Sequence, residues 1–280
     1  MSETTSHDFS YLPLPTAGLA HVFARPKVVA ALCVVMLTGL SWAYFGLLLG
    51  ETDGFLQAFC SPLQSGPRSI RGIAVVTSMW SAMTLAMMLP SAAPMILTYA
   101  EIADTAARKA ERIVSPFVLT AGYVTVWFGF SIMAALTQIA FMRTVSSDPG
   151  PQYLSGLLSG AVFIGAGAYQ FSTLKHACLT QCQRPFPFFF ANWATTRAGV
   201  FRLGLRQGSY CLGCCWAMML VTFVVGSMNV IWMAALGIVM TIEKMLTGRS
   251  FSYAIGTGLI VLGAGAIFAA FGANWPMGPN

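Results

Sequence analysis

The chain has 280 residues, 56% of them hydrophobic and only 9% charged, with 15 Lys and Arg against 9 Asp and Glu for a net charge of +6. A soluble domain carries about 25% charged residues, so this chain has too few solvating groups to be a soluble globule or a disordered chain. Lipid offers the backbone no hydrogen bonds, and a sequence this apolar is expected to form an all-α, multi-pass bundle of transmembrane helices.

A hydrocarbon layer of about 30 Å requires about 20 apolar residues of helix. Seven stretches approach that length: Val28–Leu49, Ile73–Tyr99, Pro116–Met142, Tyr153–Leu174, Tyr210–Val225, Met228–Glu243 and Tyr253–Ala273. Residues 1–27 read as a cytoplasmic tail, 28–273 as the transmembrane domain and 274–280 as a short C-terminal tail. Only Gly226 and Ser227 separate the fifth and sixth stretches, so residues 210–243 form either two spans or a re-entrant hairpin. The first 24 residues mix Pro, Ser, acidic groups and His, which is unlike a cleavable signal peptide.

Cytoplasmic loops retain Lys and Arg. With the N-terminus inside, Arg25, Lys27, Arg108, Lys109, Arg112, Lys175, Arg184, Arg197, Arg202, Arg206, Lys244 and Arg249 fall on the inner side. Only Arg68, Arg71 and Arg143 fall outside, and seven spans then put the C-terminus outside. Topology and anionic lipid account for the positive charge, so no nucleic-acid partner is needed.

In the second stretch, Met79, Met83 and Met87 repeat every four residues beside Trp80, and Pro90 and Pro94 follow. Each proline removes a backbone hydrogen bond and predicts a kink. Glycine pairs predict close packing of the fourth and seventh stretches: Gly156 with Gly160, then Gly165 and Gly167, and Ala254 with Gly258, then Gly263 and Gly265. Between the fourth and fifth stretches, Arg184–Gln207 combines Phe186, Phe188, Phe189, Phe190 and Trp193 with Arg197, Arg202 and Arg206, which reads as an amphipathic segment on the inner headgroups.

Of the seven cysteines, Cys33 lies in a span and Cys60 in an outer loop, while Cys178, Cys182, Cys211, Cys214 and Cys215 gather at the expected inner edge. Thiols there stay reduced, which favours metal binding or thiol redox chemistry over a disulfide framework. Cys211, Cys214, Cys215, Met218 and Met219 form one stripe on a helix. If the fifth span begins near Tyr210, these cysteines occupy its first turns, where the helix dipole favours thiolate, and Arg206 and Lys175 would act the same way. Cys178 and Cys182 share a face if their segment is helical, and His176 then points away from them. Thiolate and thioether select Cu(I), and thiolate also suits Zn.

The remaining intramembrane polar residues are few. Glu243 and Lys244 are expected at the interface, where charge is cheap. Gln138, Tyr169, Gln170 and Asn229 are placed to bond between helices or line a cavity. No phosphate-binding glycine loop, HExxH sequence or Ser-His-Asp set is present. His7 and His21 lie in the tail, so the spans cannot supply bis-histidine haem ligation or a histidine-rich oxygenase centre.

Several blocks together resemble the predicted metal-binding integral membrane proteins, a bacterial family of largely unknown function. They are Trp80-x-x-Met83-x-x-x-Met87-Met88-x-Pro90-x-x-x-Pro94, Tyr169-Gln170 with Lys175, Cys178, Cys182 and Arg184-Pro185, and Cys211-x-Gly213-Cys214-Cys215-Trp216-x-x-Met219 with Met228-Asn229, Trp232-Met233 and Glu243-Lys244. The resemblance covers about Ile73 to Lys244. It implies a polytopic membrane protein with a metal site, expected in a bacterial inner membrane, and it carries over Cys178, Cys182, Cys211, Cys214 and Cys215 as candidate positions.

The leading expectation is a non-enzymatic metal-handling protein that binds Cu(I) through these cysteines at the cytoplasmic membrane edge. Met83, Met87, Met218 and Met219 would be weaker ligands or relay positions. Export, delivery to a membrane metalloenzyme client and cofactor assembly all suit such a site. One alternative is a membrane thiol oxidoreductase or metalloenzyme using the same cysteines, for which Cys211-x-x-Cys214 supplies a C-x-x-C core. Another is an accessory subunit of a larger membrane complex with a structural Zn site.

Overall fold

The structure, a computed structural model, describes residues 26–50, 70–108, 114–147, 152–225 and 230–272. The expected tails, Cys60, His7, His21 and the link at Gly226 to Asn229 lie outside the described residues. Nine helices and no strand occur among the described residues: α1 (Pro26–Gly50), α2 (Ile70–Arg108), α3 (Pro116–Ser147), α4 (Gln152–Tyr169), α5 (Thr173–Gln183), α6 (Pro185–Ala191), α7 (Arg197–Val225), α8 (Val230–Met245) and α9 (Ser250–Gly272).

Among the described residues, four stretches are long and apolar enough to cross a membrane: Gly72–Ala106 in α2, Pro116–Phe141 in α3, Arg197–Val224 in α7 and Ser250–Phe271 in α9. A fifth results if α4 and α5, bent by 64° at their junction, are taken as one broken span. The expected span Tyr153–Leu174 is therefore not straight. Its helix stops at Tyr169, and a new one begins where the Ser172 side chain accepts the Lys175 backbone N–H, an N-cap that restarts the chain in a new direction. α5 then ends at Gln183, just before Pro185, as the proline requires.

α2 and α7 are the central helices, with more than half of their apolar window buried (56% in each), while α9 buries only 17% of its own and turns the rest outward. α2 is a single 39-residue helix that continues through Pro90 and Pro94. Its inward face carries Trp80, Met83, Met87, Met88 and Leu89, all essentially fully buried. Trp80 is fixed by its indole N–H, which donates to Gln138 Oε1 of α3 at 2.6 Å.

Glycines set two close helix crossings. In the α4–α9 pair, a Cβ added at Gly167 would lie 2.7 Å from the Gly256 carbonyl oxygen, and one at Gly263 would lie 2.7 Å from the Gly160 carbonyl oxygen. The expected packing of these two stretches is present through Gly156, Gly160, Gly167 and Gly263, and Gly256 joins them as a contact residue. Gly165, Gly258 and Gly265 meet nothing within 4 Å, and Ala254 is exposed. The second crossing, α3 with α7, is made by Gly122, Gly204 and Gly208. A side chain at Gly204 would collide with the Leu119 carbonyl, and one at Gly208 would lie 3.1 Å from the Tyr123 carbonyl. This crossing sets the positions of the polar groups described next.

Candidate metal centre

α7 begins at Arg197, so Cys211 stands fourteen residues into a 29-residue helix. The expected first-turn position and its dipole effect are therefore absent, because the segment assigned to the headgroups is continuous with the cysteine helix. Only α6 and the short link after it remain of that segment. Arg206 is not turned to the sulfurs: it donates to Asn192 Oδ1 at 2.9 Å and lies over the Phe188 ring.

The Sγ atoms of Cys211, Cys214 and Cys215 all lie within 4.8 Å of one another, and all three residues are buried. Helical geometry brings them together. Positions i, i+3 and i+4 share a face, and the thiols of Cys214 and Cys215 both donate back to the Cys211 carbonyl, at 3.1 and 2.8 Å. Three sulfurs bound to one ion at about 2.3 Å each would stand about 4 Å apart, so this donor set fits a single soft cation after a small contraction.

The cluster is enclosed from four directions. From α3, the Tyr123 hydroxyl lies 3.1 Å from Cys211 Sγ and 3.2 Å from the Met88 carbonyl. From α2, Met88 Sδ lies 3.8 Å from Cys215 Sγ. From α8, the Lys244 ammonium donates to Cys211 Sγ at 2.9 Å and to Ser91 Oγ at 2.7 Å, with Met88 Sδ at 3.9 Å. From α5, Cys182 interacts with both Cys211 and Cys214. Cys178 stands over Gly213, where an added Cβ would fall 2.7 Å from its Sγ. A side chain at 213 would push that sulfur aside. The Tyr169 hydroxyl seals the same point by donating to the Gly213 carbonyl at 2.5 Å.

Helices α5 and α7 thus bring the five candidate cysteines to one place, although Cys178 and Cys182 stay partly exposed. The methionines divide. Met83, Met87, Met218 and Met219 are all buried in the core, and Met87 packs against Gly237 of α8. The thioether in contact with the cysteines is that of Met88, which the four-residue repeat passes over. His176 has its ring edge-on to Tyr253 at 5.4 Å, away from the sulfurs as the helical wheel implied.

Glu243 and Lys244, expected at the interface, are instead buried, at 4% and 8% exposure. Consecutive residues on a helix point in different directions. Lys244 faces the cysteines, while Glu243 pairs with the fully buried Lys175 at 2.6 Å and accepts from Ser252 at 2.5 Å. Lys175 also donates to Gln170 Oε1, so it acts within this second cluster and not on the thiols. Charge that would be costly in an apolar interior is tolerated here because each group has a partner. Met88, Ser91, Tyr123 and Lys244 were the residues sequence reasoning missed. A charged Glu-Lys step closing an apolar helix was the one available signal for Lys244.

Comparison with known proteins agrees with the chemistry. A family model described as "PpoB2: Copper chaperone" matches residues 77–266, which takes in α2 from its second turn, every cysteine of the cluster and most of α9. No curated protein and no solved structure matches the chain.

Proposed function

Since the chain belongs to this copper chaperone family, we propose that it is a membrane-embedded carrier of Cu(I), holding the ion as cargo on Cys211, Cys214 and Cys215. The observation that carries this reading is the mutual approach of three buried sulfurs to within 4.8 Å. Thiolate sulfur in a dry site selects a soft monovalent ion over the hard cations that abound in cells. Cys182 and Cys178, the less buried pair on α5, are the entry or exit ligands, since an ion passed between proteins must move through sulfurs a partner can reach. Met83, Met87, Met218 and Met219 provide a weaker thioether lining deeper in the core. Zn is the competing occupant for the same thiolates.

The membrane reading rests on composition and on the long apolar helices, whose outward faces carry large exposed side chains such as Phe128, Met133, Val261 and Phe268. We place the chain in a bacterial inner membrane with its N-terminus inside, following the excess of Lys and Arg on that side. The seven-span topology counts α1, the bent α4–α5 pair and the 16-residue α8 as crossings. The partner is a membrane metalloenzyme client or an exporter that receives the ion.

Copper measured per chain on detergent-purified protein, loaded anaerobically with Cu(I), tests the site. Wild type is expected to hold copper, and the Cys211→Ser/Cys214→Ser/Cys215→Ser variant to lose it while staying monodisperse. Unchanged copper in that variant would overturn the assignment.

A further inference from the structure

The Lys244 ammonium sits between Cys211 Sγ at 2.9 Å and Met88 Sδ at 3.9 Å, and Cys215 Sγ approaches the same Met88 sulfur at 3.8 Å. Three sulfur atoms on two helices therefore converge where a positive charge already stands. A thioether is a poor hydrogen-bond acceptor, and an ammonium gains little from it compared with water or a carboxylate. The same thioether is a good ligand for Cu(I). Lys244 also has an alternative partner that does not depend on sulfur, Ser91 Oγ at 2.7 Å.

Building on the copper-carrier reading, we propose that Cu(I) takes the position marked by the Lys244 ammonium. Met88 then joins the cysteines as a ligand from α2, and Lys244 withdraws toward Ser91. One unit of positive charge replaces another beside the Cys211 thiolate, copper stays Cu(I), no electron is transferred, and Cys214 and Cys215, on binding, each give up to solvent the thiol proton that they donate to the Cys211 carbonyl. Lys244 remains protonated throughout. When the ion leaves, Cys214 and Cys215 take up their protons again and the returning ammonium neutralises Cys211, so the apolar interior is not left with a bare thiolate, a state that burial makes costly. Met88 is suited to its part because its backbone is fixed: its carbonyl accepts from both the Tyr123 hydroxyl and Ser91 Oγ. Met87, one residue earlier, points instead to Gly237.

The test uses full-length protein in detergent, grown with selenomethionine and loaded with Cu(I) alone. X-ray absorption at the copper edge is expected to show a selenium neighbour in the otherwise unmutated protein and in the outward-facing control Met133→Leu, and to lose it in Met88→Leu. Affinity for Cu(I), measured by competition with a chromophoric Cu(I) chelator, should fall about 10–100-fold in Met88→Leu and stay at the wild-type value in Met133→Leu. Lys244→Leu, which removes the charge without adding a metal donor, should slow release to that chelator by about tenfold or more. Absence of a copper–selenium neighbour in the unmutated protein overturns the proposal whether or not any variant folds. So does release at the wild-type rate from Lys244→Leu. These failures are distinct from failure of the carrier reading: copper bound by wild type and lost from the triple serine variant, but without selenium, removes the Met88 proposal alone. A wild type that binds no copper removes both.

Discussion

Lys175 and Lys244 are both buried, and each faces a different kind of partner. Lys175 meets the Glu243 carboxylate and the Gln170 amide oxygen, while Lys244 meets the sulfurs of Cys211 and Met88 and one hydroxyl. The oxygen partners hold an ammonium as well as they would hold anything, so the first centre is complete and acts as a clamp across α5, α8 and α9. The sulfur partners hold an ammonium less well than they would hold a soft metal, so the second centre is suited to exchange. Successive positions on α8 thus join a fixed centre to an exchangeable one.

Removing one charge from the fixed centre should have the largest effect on stability. Glu243→Met leaves Lys175 buried without its counter-charge and is expected to cost about 3–5 kcal/mol. The Lys175→Met/Glu243→Met pair should recover most of that loss, read by thermal unfolding in detergent. Copper per folded chain should be unchanged in the double variant if this centre only clamps. A fall in copper there would mean that the two centres are not separable.

Gly204→Leu tests how the exchangeable centre is built. The added side chain collides with the α3 backbone at Leu119, and overpacking of this kind costs about 1–3 kcal/mol. It should also carry Tyr123 away from Cys211, lowering copper affinity although no sulfur has been changed. The smallest effect is expected from Tyr123→Phe, which removes one hydroxyl contact to Cys211 and Met88. It should cost about 1 kcal/mol of stability and leave copper stoichiometry intact. A complete loss of copper in this variant would make Tyr123 part of the site itself.

Much of this arrangement was legible in the sequence. Apolar length marked the helices, Arg184-Pro185 marked the end of α5, and the spacing of Cys211, Cys214 and Cys215 put three sulfurs on one face. Other features were illegible for identifiable reasons. Continuous hydropathy cannot reveal the break at Gln170 to Ser172, because a serine cap changes direction without changing polarity. The start of α7 was misplaced by thirteen residues, from Arg197 to Tyr210, because its Arg-rich first turns look like surface chain although they continue the cysteine helix. Of the glycines, only the close-crossing partners matter, and which ones cross depends on how the helices are rotated.

The sequence alone determined an all-helical chain poor in charge, with its thiols collected in two short blocks, because helix formation and face sharing depend on neighbours within a few residues. Tertiary structure decided which sulfur, hydroxyl and ammonium meet those thiols. Lys244 and Met88 are 156 positions apart, and Tyr123 and Cys211 are 88 apart. Contacts across such separations arise from how glycine-lined helix faces pack together, and no local pattern in the chain records that.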